Sequence, residues 1–205
     1  MGTWKVGQEH IIDITGLSHE ASGVGRVEGR VVFVPETIPG DRVKVRLVHL
    51  KERLGYGELI EILVASTDRR RQNCPHAFEC GGCQLQHMDY DAQLRWKRLQ
   101  VADAMERIGK LDAQVRPTLG MDQPYHYRNK AQLPLGKRQG ELVMGFFRKG
   151  SHDIVDLHIC EIQHPLITKL AFAVKRSVQD LSIEPYDEVN HSGVLRHAVI
   201  SACER

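Results

Sequence analysis

The feature that most constrains the fold of this chain is the segment Cys74-Pro-His-Ala-Phe-Glu-Cys80-Gly-Gly-Cys83. Its three thiols have C-x5-C-x2-C spacing, and Cys160 offers a fourth, so the intervening chain must fold back if all four are to meet. Gly81 and Gly82 allow the backbone to turn tightly and to direct N–H groups at sulfur. We therefore expect this segment to organise the region C-terminal to it.

Four interpretations of these thiols remain open from the residues alone. Disulfides are disfavoured, because pairing close cysteines leaves a strained loop and an odd thiol. Inert buried thiols are the second interpretation, and a structural zinc site with four cysteine ligands is the third. The fourth is an iron–sulfur cluster, which commonly takes three thiolates from one loop and one from a distant segment. The spacing favours the cluster without excluding zinc, since zinc sites mostly use paired knuckles and no second knuckle is visible.

The composition is typical of a soluble globular protein. Of the 205 residues, 41% are hydrophobic, and the mean hydropathy is −0.34. The longest apolar run, Leu59–Ala65, is too short to span a bilayer, and the N-terminus shows no secretory signal. Five cysteines, an odd number, suit a reducing compartment. We therefore expect a cytoplasmic protein that does not associate with membranes.

Residues 1–66 predict a small antiparallel β-barrel, because strand-like runs alternate with Gly, Pro and Asp turns. The runs are His10–Thr15, Arg30–Pro35, Asp41–Val48 and Tyr56–Leu63. The alternation around Val43 and Val45 places three cations, Arg42, Lys44 and Arg46, on one face of a strand. A barrel with a basic face is typical of an oligonucleotide-binding module, and a purely structural barrel is the alternative.

The next segments predict a linker and a helix. Residues 67–73 are polar and charge-dense, and we interpret them as a linker between domains. A helix is predicted over 88–111, with Asp89 as its N-cap and Gly109 as its stop. Its apolar stripe consists of Leu94, Leu99, Ala102, Met105 and Ile108. Such a stripe needs a partner to bury it.

The remainder belongs to a predicted α+β domain over residues 74–205. Strands at 131–135 and 141–147 form a hairpin, and a further strand near 153–157 leads to Cys160. A second helix starts near Pro165. Its predicted apolar face is Leu166, Leu170, Val174, Val178 and Leu181. A final strand over 194–202 has no visible partner, so we expect the domain to be incomplete at its C-terminus.

Cations are concentrated between Tyr127 and Gly150. This stretch has a single acid, Glu141, and six basic residues, which are Arg128, Lys130, Lys137, Arg138, Arg148 and Lys149. A local cationic surface suits the phosphate backbone of a nucleic acid, and an ordinary solvated face is the alternative.

Several stretches together resemble the bacterial 23S ribosomal RNA uracil-5-methyltransferases, which use S-adenosylmethionine. Gly23-Val-Gly-Arg-Val and Pro35–Val43 are similar to motifs of the TRAM domain of that family. The other matching stretches are the cysteine loop continued to His87, Tyr90–Lys97, Tyr127–Gln132, Gly145–His152 and Gly193–His197. The resemblance covers essentially the whole chain.

The resemblance implies a fold and a set of ligands. It implies an OB-like TRAM β-barrel followed by an α+β iron–sulfur domain, with a C-terminal Rossmann-type methyltransferase domain absent, and it implies that helix 88–111 packs on that domain. In the family the loop holds a [4Fe–4S] cluster, so Cys74, Cys80, Cys83 and Cys160 become the expected ligands. S-adenosylmethionine and the catalytic residues belong to the domain expected to be absent. No residue here is assigned a catalytic role, and Cys203 is interpreted as an ordinary small residue.

The resemblance therefore implies that this chain is the RNA-binding and [4Fe–4S] N-terminal portion of an S-adenosylmethionine-dependent methyltransferase that modifies carbon 5 of uridine in 23S ribosomal RNA. We expect no catalysis by this chain alone and no obligate protein partner. The expected RNA contacts are Tyr127, Arg128, Lys130, Arg148, Lys149, Arg196 and His197. For Arg128 a structural ion pair is the alternative, and for His197 a core position. Arg42, Lys44 and Arg46 are further candidates on the barrel. A free-standing iron–sulfur or zinc RNA-binding protein without catalysis is the rival hypothesis.

Overall fold

The computed structural model describes residues 4–203. The chain folds into two units, and each unit is built from two separate stretches of sequence. The first unit joins residues 4–71 to 84–120, and the second joins 72–83 to 121–203. The expected division at 66–74 therefore differs from the observed one, because segment 84–120 groups with the barrel and only the cysteine loop groups with the C-terminal part of the chain. The ends of the predicted domains, 1–3 and 204–205, lie outside the described residues.

The first unit contains one six-stranded sheet, with strand order β1-β5-β6-β4-β3-β2. Its strands are β1 (Glu9–Asp13), β2 (Gly16–Leu17), β3 (Gly23–Val27), β4 (Arg30–Val34), β5 (Arg42–Leu50) and β6 (Leu54–Val64). All neighbouring pairs are antiparallel except β4 and β6, which run parallel. The alternation read in the sequence is observed on β5, where Val43, Val45 and Leu47 are fully buried in the apolar core.

The sheet closes into a barrel because β1 runs almost directly into β2. These strands occupy opposite edges of the sheet, and the intervening Thr15 donates its backbone N–H to the Val24 carbonyl on β3 at 2.9 Å. A Cβ atom on Gly25 would lie 2.9 Å from the carbonyl oxygen of Asp13, so glycine permits this close approach. The two edges of the sheet therefore meet and leave no open edge at this point.

A buried ion pair fixes the end of β6 to the turn before β5. The carboxylate of Asp41 accepts 2.8 Å hydrogen bonds from both Nε and Nη2 of Arg69, and it also accepts from the backbone N–H groups of Ile38 and Ser66. Asp41 is 1% exposed. The segment that we interpreted as a polar linker between domains therefore begins as part of the barrel, because Arg69 bonds a strand turn 28 positions earlier in the chain.

The helix of the first unit, α1, spans Tyr90–Asp103 and continues as a π-helical turn over Ala104–Ile108. The Asp89 side chain accepts from the N–H of Asp91 at 3.2 Å, as predicted for the N-cap. The predicted apolar stripe is not buried: Leu99, Met105 and Ile108 are exposed, and Ala92 is the buried residue of α1. Ala92 packs with Ile38, Met88 and the half-buried Trp96 in a small cluster.

The second unit has a four-stranded antiparallel sheet with order β10-β7-β8-β9. Its strands are β7 (Lys130–Arg138), β8 (Glu141–Phe147), β9 (Ile154–Asp156) and β10 (His197–Ser201). The hairpin between β7 and β8 is formed as predicted. The expectation of an unpartnered final strand is wrong, because β10 pairs with β7 from His197 opposite Pro134 to Ser201 opposite Lys130.

Helix α2 (Pro165–Asp180) covers this sheet and begins at the predicted proline. The His164 side chain caps it by accepting from the N–H of Leu166. The predicted apolar face is confirmed at Val174 and Val178 and wrong at its three leucines, since Leu166, Leu170 and Leu181 are exposed. The residues of α2 that pack in the core are Ile167, Ala171, Val174 and Val178.

Candidate functional site

The cysteine loop is held by its backbone against the end of β8. The N–H of Gly81 donates to the Phe147 carbonyl at 3.0 Å, and Cys80 forms a bridge with Arg148. A Cβ on Gly81 would lie 3.1 Å from that carbonyl oxygen, so the position favours glycine. These two contacts fasten the loop to the chain at the C-terminal end of β8.

The fourth thiol is brought in by a backbone zipper between two irregular segments. His126 and Arg128 donate their N–H groups to the carbonyls of Glu161 and Ile162 at 2.9 Å each, and His164 donates back to Arg128 at the same distance. Cys160 directly precedes this zipper. The same hydrogen bonds therefore position both Cys160 and Arg128.

The thiols lie in partly desolvated surroundings and influence one another. Cys74 is buried, and Cys80, Cys83 and Cys160 are half-buried. Burial raises the pKa of Cys74 and of Cys80, and the charge of Cys160 raises both further. A backbone N–H acts in the opposite direction at each of the two, from His76 to Cys74 and from Gly82 to Cys80. The Gly82 nitrogen lies 3.4 Å from the Cys80 sulfur.

The donors of this loop decide which metal group it could hold. Among residues 4–203, no three His, Cys, Asp or Glu side chains converge closely enough to hold a single metal ion. A cubane cluster is bound differently, because each thiolate ligates its own iron and the sulfurs need not share one ion. Two polar side chains beside the thiols also have buried atoms without a hydrogen-bond partner in the described chain: Nε2 of His76 and both polar atoms of Gln163.

Gln163 provides the clearer of these two observations. Its side chain is 2% exposed, and it lines the same small apolar cavity as Cys160. Buried amides in native structures are almost always hydrogen-bonded, and metal-bound sulfur is a recurrent acceptor of N–H groups. Soft thiolate donors with amide groups around them are compatible with iron–sulfur ligation. Sequence reasoning did not single out Gln163, because a glutamine three residues after a cysteine carries no signal of burial.

Three of the predicted RNA contacts meet at a shallow cleft beside the cysteine loop. Arg128, Arg148 and Lys149 line it together with Phe146 and Phe147, and its volume is about 690 Å³. All three cations are exposed. The guanidinium of Arg128 lies 5.7 Å from the centre of the Phe146 ring, and Arg148 is only loosely paired, at 3.7 Å from the Glu79 carboxylate. Among residues 4–203, the contact observed for the Arg128 guanidinium is this ring and not the ion pair that was its structural alternative.

Arg196 and His197 lie instead in a second cleft, of about 860 Å³, which Arg148 also lines. The guanidinium of Arg196 stacks over the Tyr186 ring at 3.7 Å. His197 is exposed rather than in the core. This cleft carries acids as well, since Glu184 pairs with Lys137 and Glu188 lies 3.2 Å from His152. Its charge is therefore mixed.

The remaining predicted contacts are spread over both units. Tyr127, which is 54% exposed, and Lys130 line neither cleft. On the barrel, the cations are matched by acids: the ion pairs are Arg42 with Asp13, Lys44 with Glu9, and Arg46 with both Glu9 and Glu58. These pairs also lower the pKa of Glu9, through its hydrogen bonds to Lys44 and then Arg46. Cys203, the spare thiol, is exposed.

Comparison with known proteins identifies the barrel of the first unit. The model of the TRAM domain family matches residues 3–60, so the chain contains a TRAM domain, as the barrel motifs suggested. Within the described residues, no helix is both long and apolar enough to cross a membrane.

The chain is also similar to proteins named as uncharacterized RNA methyltransferases. One from Halalkalibacterium halodurans is 46% identical over 197 residues, which cover 95% of this chain and 43% of that protein. One from Thermosynechococcus vestitus is 43% identical over 198 residues, covering 96% of this chain and 44% of that protein. The chain thus spans less than half the length of these curated relatives.

A solved structure extends the similarity to three dimensions. The crystal structure of the Pyrococcus abyssi tRNA (uracil-54, C5)-methyltransferase in complex with S-adenosyl-L-homocysteine matches with a TM-score of 0.64 and 25% identity. The match covers 93% of this chain and 42% of that one.

These comparisons correct the fold class predicted from the sequence. A Rossmann-type methyltransferase domain was expected to be absent and the chain to be inactive. The match to a methyltransferase structure covers 93% of the chain, and the alignment with the Halalkalibacterium halodurans relative covers 95%. The comparisons therefore do not show that the domain is absent or that the chain is inactive. They also do not support the interpretation of the chain as a fragment that consists of a TRAM domain alone.

Proposed function

We propose that this chain acts in an S-adenosylmethionine-dependent methyltransferase that modifies carbon 5 of uridine in 23S ribosomal RNA. The relatives named as RNA methyltransferases and the uracil-C5 specificity of the Pyrococcus abyssi neighbour support the reaction class. The neighbour acts on tRNA, whereas the motifs of the cysteine loop and of Tyr127–Gln132 resemble the 23S enzymes. The contribution proposed for residues 4–203 is to grip the RNA and to hold a metal cluster.

The proposed ligands of a [4Fe–4S] cluster are Cys74, Cys80, Cys83 and Cys160. Support comes from the mutual influence of three of these thiols, from the N–H groups directed at Cys74 and Cys80, and from the buried amide of Gln163. When bound, such a cluster supplies a rigid cross-link between segments of chain rather than an open coordination position. That cross-link fastens the cysteine loop to the segment after Cys160, and hence to the zipper that carries Arg128.

The cleft of Arg128, Arg148 and Lys149 is the observation that carries the RNA-binding proposal. Each of its cations sits on a backbone segment bonded to the cysteine loop or to the segment after Cys160. Cations grip phosphates, and exposed planar side chains stack on unpaired bases. Phe146 and Phe147 line the same cleft and offer apolar surface beside the cations. A base that is to be methylated must first leave its stack, at a cost of a few kcal/mol, and firm binding of its neighbours offsets that cost.

Deleting the gene in its own organism tests the reaction. Nucleoside mass spectrometry of purified 23S ribosomal RNA should then show loss of one or more 5-methyluridines, and restoring the gene should return them. Loss of 5-methyluridine from tRNA, with 23S ribosomal RNA unchanged, would refute 23S ribosomal RNA as the target but would still support methylation at carbon 5 of uridine. No loss from either RNA would refute the methyltransferase.

A separate measurement tests the cluster. The chain purified without oxygen should be brown and should contain about four iron and four sulfide per chain, the stoichiometry of a cubane held by four cysteines. A colourless protein with one zinc would refute the cluster and favour a zinc-stabilised RNA-binding protein instead.

A further inference from the structure

Three aromatic rings form a row on the outside of the barrel in the first unit. Phe33 on β4 lies opposite Tyr56 on β6, and Tyr56 lies opposite His49 on β5. The ring centres are 5.7 Å apart for Phe33 and Tyr56 and 5.8 Å apart for His49 and Tyr56. The row therefore crosses three neighbouring strands, a width of roughly 10 Å at the usual spacing of strands.

The row faces outward because the residues that flank it on β4 and β6 face the core. On β4, Val32 and Val34 flank Phe33 and are fully buried, and on β6 the glycines at 55 and 57 are buried. Tyr56 itself is 38% exposed, and His49 is exposed. The three side chains thus present planar surface on one face of the sheet.

The charge around the row differs from the charge elsewhere on the same sheet. The cations of β5 are matched by Glu9 and Asp13 on β1 and by Glu58 on β6. The turn that joins His49 to Tyr56 carries Lys51 and Arg53 with one acid, Glu52. Excess positive charge beside planar rings is the combination that binds single-stranded nucleic acid, because the cations follow the phosphates while the bases stack.

We infer that Phe33, Tyr56 and His49 form a stacking platform for two or three unpaired bases of the RNA. This inference rests on the proposed RNA-binding function and adds to it a second contact, on a different unit from the cleft of Arg128. The platform recognises base faces rather than base edges, so it is tolerant of sequence. The alternative is that the rings only stabilise the sheet, since cross-strand aromatic pairs contribute about 0.2–1 kcal/mol to folding.

The test compares Tyr56→Ala with Ile60→Ala. Ile60 lies on the same strand and is also 38% exposed, but it has no aromatic ring. The probe is an unstructured oligouridylate of about ten nucleotides, and its affinity for the intact chain is measured by fluorescence anisotropy at several salt concentrations. Each stacked base contributes about 1–3 kcal/mol, so Tyr56→Ala should weaken binding about 5-fold or more, with Tyr56→Trp retaining affinity.

The salt dependence separates stacking from phosphate contact. Stacking releases no counterions, so Tyr56→Ala should leave the slope of log K against log salt unchanged. Equal affinities for Tyr56→Ala and Ile60→Ala would overturn the inference, whether both fell or neither did. A Tyr56→Ala change that converted a dimer into a monomer on gel filtration would also overturn it, in favour of a second copy of the chain. Loss of binding by Arg128→Ala but not by Tyr56→Ala would overturn the platform alone, whereas no binding by the unaltered chain would overturn the proposed function as well.

Discussion

The substitution Asp41→Asn should strongly destabilise the first unit. The carboxylate accepts four hydrogen bonds: two from Arg69 and one each from the N–H groups of Ile38 and Ser66. An asparagine amide has an N–H₂ donor in place of one of the two carboxylate oxygens. The N–H groups that bonded the replaced oxygen therefore lose their acceptor and face another donor. The substitution also leaves the Arg69 guanidinium, which is only 15% exposed, without a counter-charge.

The size of the effect follows from this burial. Removing one member of a buried ion pair costs about 3–5 kcal/mol, because the remaining charge stays desolvated. The matched control is Asp13→Asn, which breaks the Asp13–Arg42 pair on the same barrel. That pair is 3.6 Å apart and both of its side chains are more than half exposed, so its loss should cost about 0–1 kcal/mol.

Tryptophan fluorescence in urea measures the effect in the first unit alone. The chain has two tryptophans, Trp4 and Trp96, and both are half-buried against apolar clusters of that unit. With a urea dependence of about 1–3 kcal/mol per molar, Asp41→Asn should lower the unfolding midpoint by at least about 1 M. A midpoint that moved no further than that of Asp13→Asn would refute the assignment of Asp41 and Arg69 as the anchor of the barrel.

Three further predictions concern pH, the thiols and the cationic cleft. Burial, and then the charge of Arg69, lower the pKa of His87 from 6.5 to about 4, so the unfolded chain takes up this proton first as the pH falls. The first unit should therefore lose about 3 kcal/mol of unfolding free energy between about pH 6.5 and pH 4. Urea titrations across this range measure the loss, and a His87→Gln variant whose unfolding free energy depended on pH in the same way as that of the unaltered chain would contradict the prediction. Cys160→Ser should abolish the iron content and the brown absorbance of the anaerobically purified chain while Cys203→Ser retains both; equal loss in the two variants, or none in either, would argue against the ligand assignment. Arg128→Ala should weaken binding of 23S ribosomal RNA fragments and should reduce the slope of log K against log salt by the amount expected for about one phosphate contact. Unchanged affinity and slope in filter binding would contradict the assignment of this cleft as the RNA-binding surface.

The barrel could be predicted from the sequence because its signals are local. Alternation over Arg42–Leu47 assigns each side chain to one face of a strand, and the structure buries Val43, Val45 and Leu47 as expected. The anchor of the barrel could not be predicted in the same way. Asp41 and Arg69 are 28 positions apart, and an arginine within a charge-dense segment gives no sign that it is buried.

The helices show how far periodicity can be trusted. Helix α2 begins at Pro165 as predicted, but its buried face contains Ile167 and Ala171 rather than Leu166 and Leu170. Both pairs have helical spacing, so the pattern alone did not distinguish two faces that are one residue apart. The larger leucines dominated the prediction, although small Ala171 packs closely against the sheet.

The candidate site was predicted in part for a similar reason. Cysteine spacing and clustered cations are visible in the sequence, and the structure brings Arg128, Arg148 and Lys149 to one cleft. The aromatic row had no such signal. Phe33, His49 and Tyr56 stand alone in the sequence and become neighbours only through the register of three strands.

The division of the proposed ligands between two stretches of the second unit has a consequence during synthesis. Cys83 and Cys160 are 77 positions apart in the chain. At about 5–20 residues per second, the ribosome needs roughly 4–15 s to pass from the third thiol to the fourth. During that interval a nascent chain displays three thiols without the fourth. Under the proposed ligation, we therefore expect the timing of metal delivery, as well as the geometry of the finished site, to influence which metal the loop binds.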